Sequence, residues 1–192
     1  PHATDKARSA MEQRRIADIL DKADAIRRKR QEAIQLSEQV PRSAYLNLFG
    51  DPVANPKNWP TEEVGAIADM VTGFAFKSAE YVTDGVRLCR GANVLPDLID
   101  WSDVRFWRTN DNSIDSKFKL VVGDVVLAMD RPWISSGIKV AQISEFDLPA
   151  YLVQRVSRLR GKGVVSNAFL CYTLRHPAFT AHGGGLKTET TV

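Results

Sequence analysis

Residues 12–40 hold the pattern that most constrains this chain. Ile16, Ile19, Ala23, Ile26, Ala33 and Val40 recur at steps of three, four and seven, the seam of a helix that lies against another helix. Leu20 and Ile34 widen the stripe, and Arg30 and Ser37 interrupt it. Off the seam almost every position is charged, including Arg14, Arg15, Asp18, Asp21, Lys22, Asp24 and Glu32, which predicts a solvated face. The basic run Arg27 to Arg30 reads first as part of that solvated face, with phosphate contact as the alternative. At about 1.5 Å per residue the helix extends on the order of 40–50 Å, more than a compact domain of this size needs. No second helix of that length is predicted elsewhere in the 192 residues, so the stripe asks for a mate from outside the chain.

Local signals divide the rest. Ser9 with Glu12 predicts a capping box at the helix start, with residues 1–8 a frayed polar end. Pro41 disfavours helical geometry at Val40 and is predicted to open a second short helix through Tyr45, Leu48 and Phe49. GDPVANPKNWP then stops all helix. The expected organisation is a helical arm over 1–49, a linker over 50–59, a globular domain over 60–182 and a flexible glycine- and threonine-rich tail over 183–192. Within the domain, Val64 to Val71 is a helical turn or a strand start. Val86 to Arg90 alternates as a half-buried strand. Phe118 to Val122 and Val125 to Met129 read as a hairpin around Gly123-Asp124, with further strands at Ile138 to Ile143 and Asp147 to Leu159. Ser166 caps a helix that ends at Arg175 before Pro177. The fold class is α+β: a long coiled-coil helix, then a mixed domain with a twisted, mostly antiparallel sheet.

Composition removes several chemistries. Two cysteines, Cys89 and Cys171, stand far apart among apolar neighbours, and three histidines share no ligand spacing, so a disulfide framework, a zinc site and a thiol nucleophile are not expected. Phosphate-loop, dinucleotide and nucleophile-elbow patterns are absent, and Gly183 to Gly185 follows no strand-to-helix turn. No apolar run approaches the ~18–20 residues that span a bilayer, and a reducing cytoplasm is the expected compartment. One enzymatic arrangement stays open: Asp97, Asp115 and Lys117 echo the two carboxylates and lysine of Mg²⁺-dependent nucleases.

A formal charge of +3 and a pI near 9.0 permit nucleic-acid binding without requiring it. Groove readers use arginine, lysine, asparagine and glutamine in loops and at strand ends, because these pair with base edges. Lys77, Ser78, Arg87, Arg90, Asn93, Arg105, Arg108, Arg131 and Lys139 are the candidate DNA-binding residues, with Asn110, Asn112 and Gln142 in similar segments. Each alone is better explained by solvation than by base reading; as a set they exceed what a small apolar pocket uses. Trp101, Phe106, Trp107 and Trp133 read as packing groups.

Taken together, EQRRIADILDKADAIRRKRQEAI, LNLFGDPVANPKNWP, FKSAEYVTDGVRLCRGANV, GDVVLAMD and FLCYTLRHPAF resemble the specificity subunits of type I restriction–modification systems. The helix and its FGDP exit are the most specific part; the later stretches are similar to a target recognition domain. The resemblance implies a non-catalytic subunit that reads one half of a split site in double-stranded DNA. It implies that the long helix acts as spacer, as dock for an adenine-methylating subunit and a restriction–translocase subunit, and as one side of an antiparallel pair. One helix and one domain make this half of a longer subunit or a natural half-size version, pairing through Ile16, Ile19, Ala23, Ile26 and Ala33 as a homodimer or with another half. No cofactor is implied in the chain; S-adenosylmethionine, ATP and Mg²⁺ are implied for the partner subunits alone. A Mg²⁺-dependent nuclease and a protein-binding coiled-coil adaptor remain the alternatives.

Overall fold

In the computed structural model of the chain, residues 2–109, 111–163, 165–177 and 179 are described. The chain divides into two compact units, Pro1–Asp51 and Pro52–Val192. The expected tail over 183–192 lies outside the described residues.

The first unit is one helix, α1 (His2–Phe49), of 48 residues, roughly 70 Å long at the usual rise. It corrects the sequence reading at both ends. Residues 2–8 are helical rather than frayed, so Ser9 lies inside the helix and does not start it. Pro41 also lies inside, so no separate helix begins there. A proline within a helix loses one backbone bond and costs about 3 kcal/mol. On the far side of it Tyr45 and Phe49, one turn apart, pack their rings 5.1 Å from centroid to centroid. The helix ends where Gly50 turns left-handed at φ 82° and its N–H donates to the Leu46 carbonyl at 2.8 Å. Ile16, Ile19, Leu20, Ile26 and Val40 are each between half and seven-tenths exposed, and Ala23 and Ala33 are exposed as well. The Ile34 and Ser37 side chains lie outside the described residues.

The second unit is α+β. A single turn, α2 (Val64–Ile67), leads into β1 (Ala68–Thr72). There follow β2 (Val86–Cys89), β3 (Val94–Leu95), β4 (Leu98–Ile99), β5 (Phe106–Trp107) and β6 (Val125–Ala128). The chain continues through β7 (Trp133–Ile134), β8 (Gly137–Ile138), β9 (Val140–Gln142), β10 (Ala150–Leu152), β11 (Val156–Gly161) and α3 (Asn167–Arg175). The main sheet has the order β1-β11-β6-β9, antiparallel throughout, with Ala68 opposite Gly161, Val156 opposite Ala128 and Val126 opposite Ala141. A second sheet, β10-β2-β5, pairs β10 with β2 in parallel and β2 with β5 antiparallel. Two small hairpins, β3–β4 and β7–β8, complete the described ladders.

Strand β6 reads Val-Val-Leu-Ala without alternation because both faces of its sheet are covered. Val125 points, with Val140 and Leu159, toward Leu170, Cys171 and Leu174 of α3. Val126 and Ala128 point the other way, with Ala141 and Val156, toward Cys89, Val94 and Leu152. Helix α3 is capped as its sequence predicts: the Phe169 N–H donates to the Ser166 hydroxyl at 3.1 Å. A third cluster gathers Phe76, Trp107 and Tyr151 beside β2, with the Phe76 ring edge-on to Trp107 at 4.9 Å. Gly73 lets the chain leaving β1 cross this region, because a Cβ there would stand 2.3 Å from the Val153 carbonyl.

Three predicted strands are corrected. Phe118 to Val122 does not form the first arm of a hairpin: Phe118 closes a 3-10 turn, and Leu120 donates to the Ala150 carbonyl at 3.0 Å. Ile138 to Ile143 divides at Lys139, whose N–H donates to the Pro132 carbonyl at 2.7 Å, so that β8 and β9 join different ladders. Asp147 to Leu159 divides at Gln154-Arg155, with β10 and β11 in separate sheets.

Both thiols are free and buried. Burial pushes the Cys89 thiol up to about 12, with the charge of Asp147 adding to the rise; burial also raises Cys171. Neither supplies thiolate near neutral pH. An aromatic disulfide reagent at pH 8 is expected to leave both unmodified in the folded chain and to titrate both in denaturant. Rapid modification of one thiol without denaturant would contradict this packing. Among the described residues, no helix is long and apolar enough to cross a membrane.

Candidate nucleic-acid interface

The candidate arginines and lysines of the second unit fall into three groups. In the first, Arg87 on β2 donates to the Phe146 carbonyl at 2.6 Å and lies over the Trp101 ring at 5.3 Å. Trp101 is itself fixed, its Nε1 donating to Asp147 at 2.8 Å. Asp147 in turn accepts from the Ser144 N–H at 2.8 Å, which closes a capping box. Nearby, Arg90 and Arg105 share one carboxylate: Asp103 meets the first at 2.9 Å and the second at 2.8 Å. The hydrogen bond from Arg90 is the main reason that the Asp103 carboxyl lies below the ordinary range.

The second group surrounds Glu80, which pairs with Arg108 at 2.6 Å and Lys77 at 3.8 Å. Arg108 also reaches Asp111 at 3.2 Å and covers the Trp107 ring at 4.8 Å. Asp111 is held down to about 2, chiefly by hydrogen bonds from Ser113 and Trp107. Ser78 opens the exposed 3-10 turn Ser78–Glu80 beside this cluster.

The third group lies where β1, β6 and β11 meet. A cleft of about 410 Å³ is lined by Thr72, Met129, Asp130, Gln154 and Arg155; Arg131 is the next residue in sequence after Asp130. Arg155 pairs with Asp130 at 3.1 Å. Sequence reasoning found Arg131 and missed Gln154 and Arg155. Their turn has no glycine, proline, asparagine or aspartate at its centre, and so reads as uninterrupted strand.

Two candidates are corrected. Asn93 is buried, its amide donating to the Asp100 carbonyl at 2.9 Å and to the Asp103 carbonyl at 3.3 Å. Lys139 is buried too, with its ammonium on the Gly91 carbonyl, and burial lowers its pKa. Both spend their polar ends on the main chain. Arg90 and Arg105 come together on Asp103, and Lys77 with Arg108 on Glu80, while Arg87 lies apart on the Phe146 carbonyl and the Trp101 ring. Asn112 and Gln142 are exposed or nearly so, Gln142 donating to the Gly123 carbonyl at 3.1 Å; Asn110 lies outside the described residues.

The nuclease arrangement is not assembled. Asp97, in the β3–β4 turn, pairs with Arg175 of α3. Asp115 caps the Ser116–Phe118 turn and pairs with Lys117 at 3.3 Å. Among the described residues no three acidic, histidine or cysteine side chains cluster to hold a metal.

Exposed ion pairs of this kind contribute about 0–1 kcal/mol each, so their arginines exchange partners at little cost. The described residues thus present an exposed helical stripe and an α+β unit whose surface carries paired arginines. The chain is a homologue of type I restriction enzyme specificity subunits. It is 33% identical over 159 residues to the EcoAI specificity subunit of Escherichia coli, covering 80% of this chain and 27% of that protein. It is 29% identical over 181 residues to the MjaVIII specificity subunit of Methanocaldococcus jannaschii, covering 88% of this chain and 43% of that protein. The chain thus spans less than half the length of either relative. A solved chain from a study of complex assembly and conformational transition in the type I R-M system matches 93% of this chain and 43% of its own length. Its TM-score is 0.51 at 19% identity, a likeness of fold. No family model matches the chain.

Proposed function

We propose that this chain is a non-catalytic, sequence-specific DNA-binding component of a type I restriction–modification system, reading one half of a bipartite target. The observation that carries the reading is the 33% identity to the EcoAI specificity subunit over 80% of the chain, a stretch too long to omit either the arm or the α+β unit. In this reading loops and strand ends of the second unit enter the major groove with Lys77, Arg87, Arg105, Arg108 and Arg131. Helix α1 sets spacing, pairs with a second specificity half, and docks the methylating and restriction–translocating subunits. S-adenosylmethionine, ATP and Mg²⁺ serve those partners.

Gel retardation on a duplex pool across a salt series tests this. About five neutralised phosphates predict a slope of affinity against salt near −4.5 on logarithmic axes. Affinity then falls on the order of 10²–10³-fold between 50 and 200 mM salt. Plasmid incubated with Mg²⁺ and the chain alone is expected to stay intact. Nicking under those conditions, or retention indifferent to salt, would overturn the proposal.

A further inference from the structure

We propose that the Gln154–Arg155 turn is a base-reading element, with Arg155 taking a guanine edge and Asp130 as its positioning residue. The inference rests on the DNA-binding reading above and names the side chains that give it specificity. β10 passes to β11 through a tight turn in which the Val156 N–H donates to the Val153 carbonyl at 3.1 Å, leaving Gln154 and Arg155 at the tip. Arg155 has φ 68°, a left-handed conformation suited to glycine or asparagine. Arg131, three residues past the end of β6, has φ 47°. Two arginines held in an uncommon backbone geometry at one end of a sheet point to a use for their side chains.

The turn is framed on both sides. The Gln154 N–H donates to the Phe74 carbonyl and the Met129 N–H to the Arg155 carbonyl, each at 2.8 Å. The backbone is therefore fixed while both side chains project, Arg155 remaining two-thirds exposed. Asp130 takes one nitrogen of the Arg155 fork at 3.1 Å and leaves the others open. That carboxylate biases Arg155 toward a base and away from a phosphate. Beside a phosphate it repels the ligand; beside a guanine O6 and N7 it fixes the guanidinium plane for a bidentate contact. Gln154, next to it, has the donor and acceptor pair that matches adenine. Thr72 and Met129 complete the cleft with apolar atoms of the kind that meet a thymine methyl.

The test compares duplexes selected from a randomised pool by the wild-type chain, R155G and D130N. Glycine suits the left-handed turn, so R155G keeps the fold, checked by an unchanged or raised melting temperature. The expected result is a G·C preference at one position in the wild-type selection that falls about 5–150-fold in R155G. The salt slope stays unchanged, and D130N weakens the same position alone. An identical selected sequence in R155G overturns the inference. So does a uniform loss on all sequences with the salt slope reduced by about one, the mark of a phosphate contact. A wild-type chain that retards no duplex refutes the DNA-binding reading itself, a failure distinct from these two.

Discussion

Asp124→Asn is expected to lower the unfolding free energy by about 2–4 kcal/mol and the melting midpoint by about 5–12 °C. Asp124 is fully buried at the start of β6. One oxygen accepts from the Val121 N–H at 2.9 Å, and Arg160 of β11 grips both, its Nη2 at 3.0 Å. That grip is also the main reason the Arg160 guanidinium is raised. A carboxylate can accept from every one of these donors. An amide must turn an NH₂ toward either a backbone N–H or the guanidinium, and it leaves Arg160 without its counter-charge. Removing one partner of a fully enclosed pair costs about 3–5 kcal/mol. Arg160 is about one-third exposed, so water recovers part of the loss. The damage extends to α3, because Asn167 ties the same corner, donating to the Gly123 carbonyl at 2.8 Å and accepting from the Gly161 N–H at 2.7 Å. Urea titration reads the result, with Asp130→Asn as the comparison at the exposed Arg155 pair, where under about 1 kcal/mol is expected. Equal losses at the two sites would refute the distinction.

The two ends of β6 differ in kind, and the sequence discloses one better than the other. At Val125 to Ala128 an unbroken apolar run signals a strand buried on both faces, and Ser166 with the apolar residues of α3 signals a capped helix; both rest on local rules that the tertiary packing obeys. The Gly123-Asp124 turn is equally legible, yet the burial of Asp124 is not, since its partner Arg160 lies 36 residues on. Pro41 misled because its penalty is local, whereas the helix persists with good helix formers on both sides. Asp147 to Leu159 misled because no glycine, proline, asparagine or aspartate marks Gln154 and Arg155, where the chain changes sheet. Asn93 and Lys139 had the right chemistry for a groove and the wrong surroundings: burial by distant segments turned their polar ends inward. Residue type is local information, and exposure is not. The residue types could therefore be listed from the sequence, and the carboxylates that pair with Arg90, Arg105 and Arg108 could not.

Under the proposed pairing of the arm with a second copy, replacing Ile19 and Ile26 together with glutamate is expected to leave the chain monomeric at micromolar concentration with both units folded. In the described residues Ile19 and Ile26 are 56% and 68% exposed, with Ile16 and Leu20 beside them at 52% and 59%. Exposed single apolar residues are ordinary, but a stripe along one face of a helix is the kind of surface that a second helix covers. In an isologous antiparallel pair each substitution acts twice. At about 1.5 kcal/mol for each isoleucine withdrawn from a buried contact, the loss approaches 6 kcal/mol, roughly 10⁴-fold in dissociation constant, before any cost of facing glutamates. The helix itself does not suffer, because glutamate is a good helix former at an exposed position. Sedimentation equilibrium with circular dichroism separates the possibilities. A wild-type dimer and a helical monomeric variant support pairing through this stripe. A wild-type chain that is strictly monomeric with its helix intact refutes self-pairing and assigns the stripe to a different helix. A variant that stays dimeric moves the contact off the seam and removes the physical basis for treating the arm as one half of a spacer.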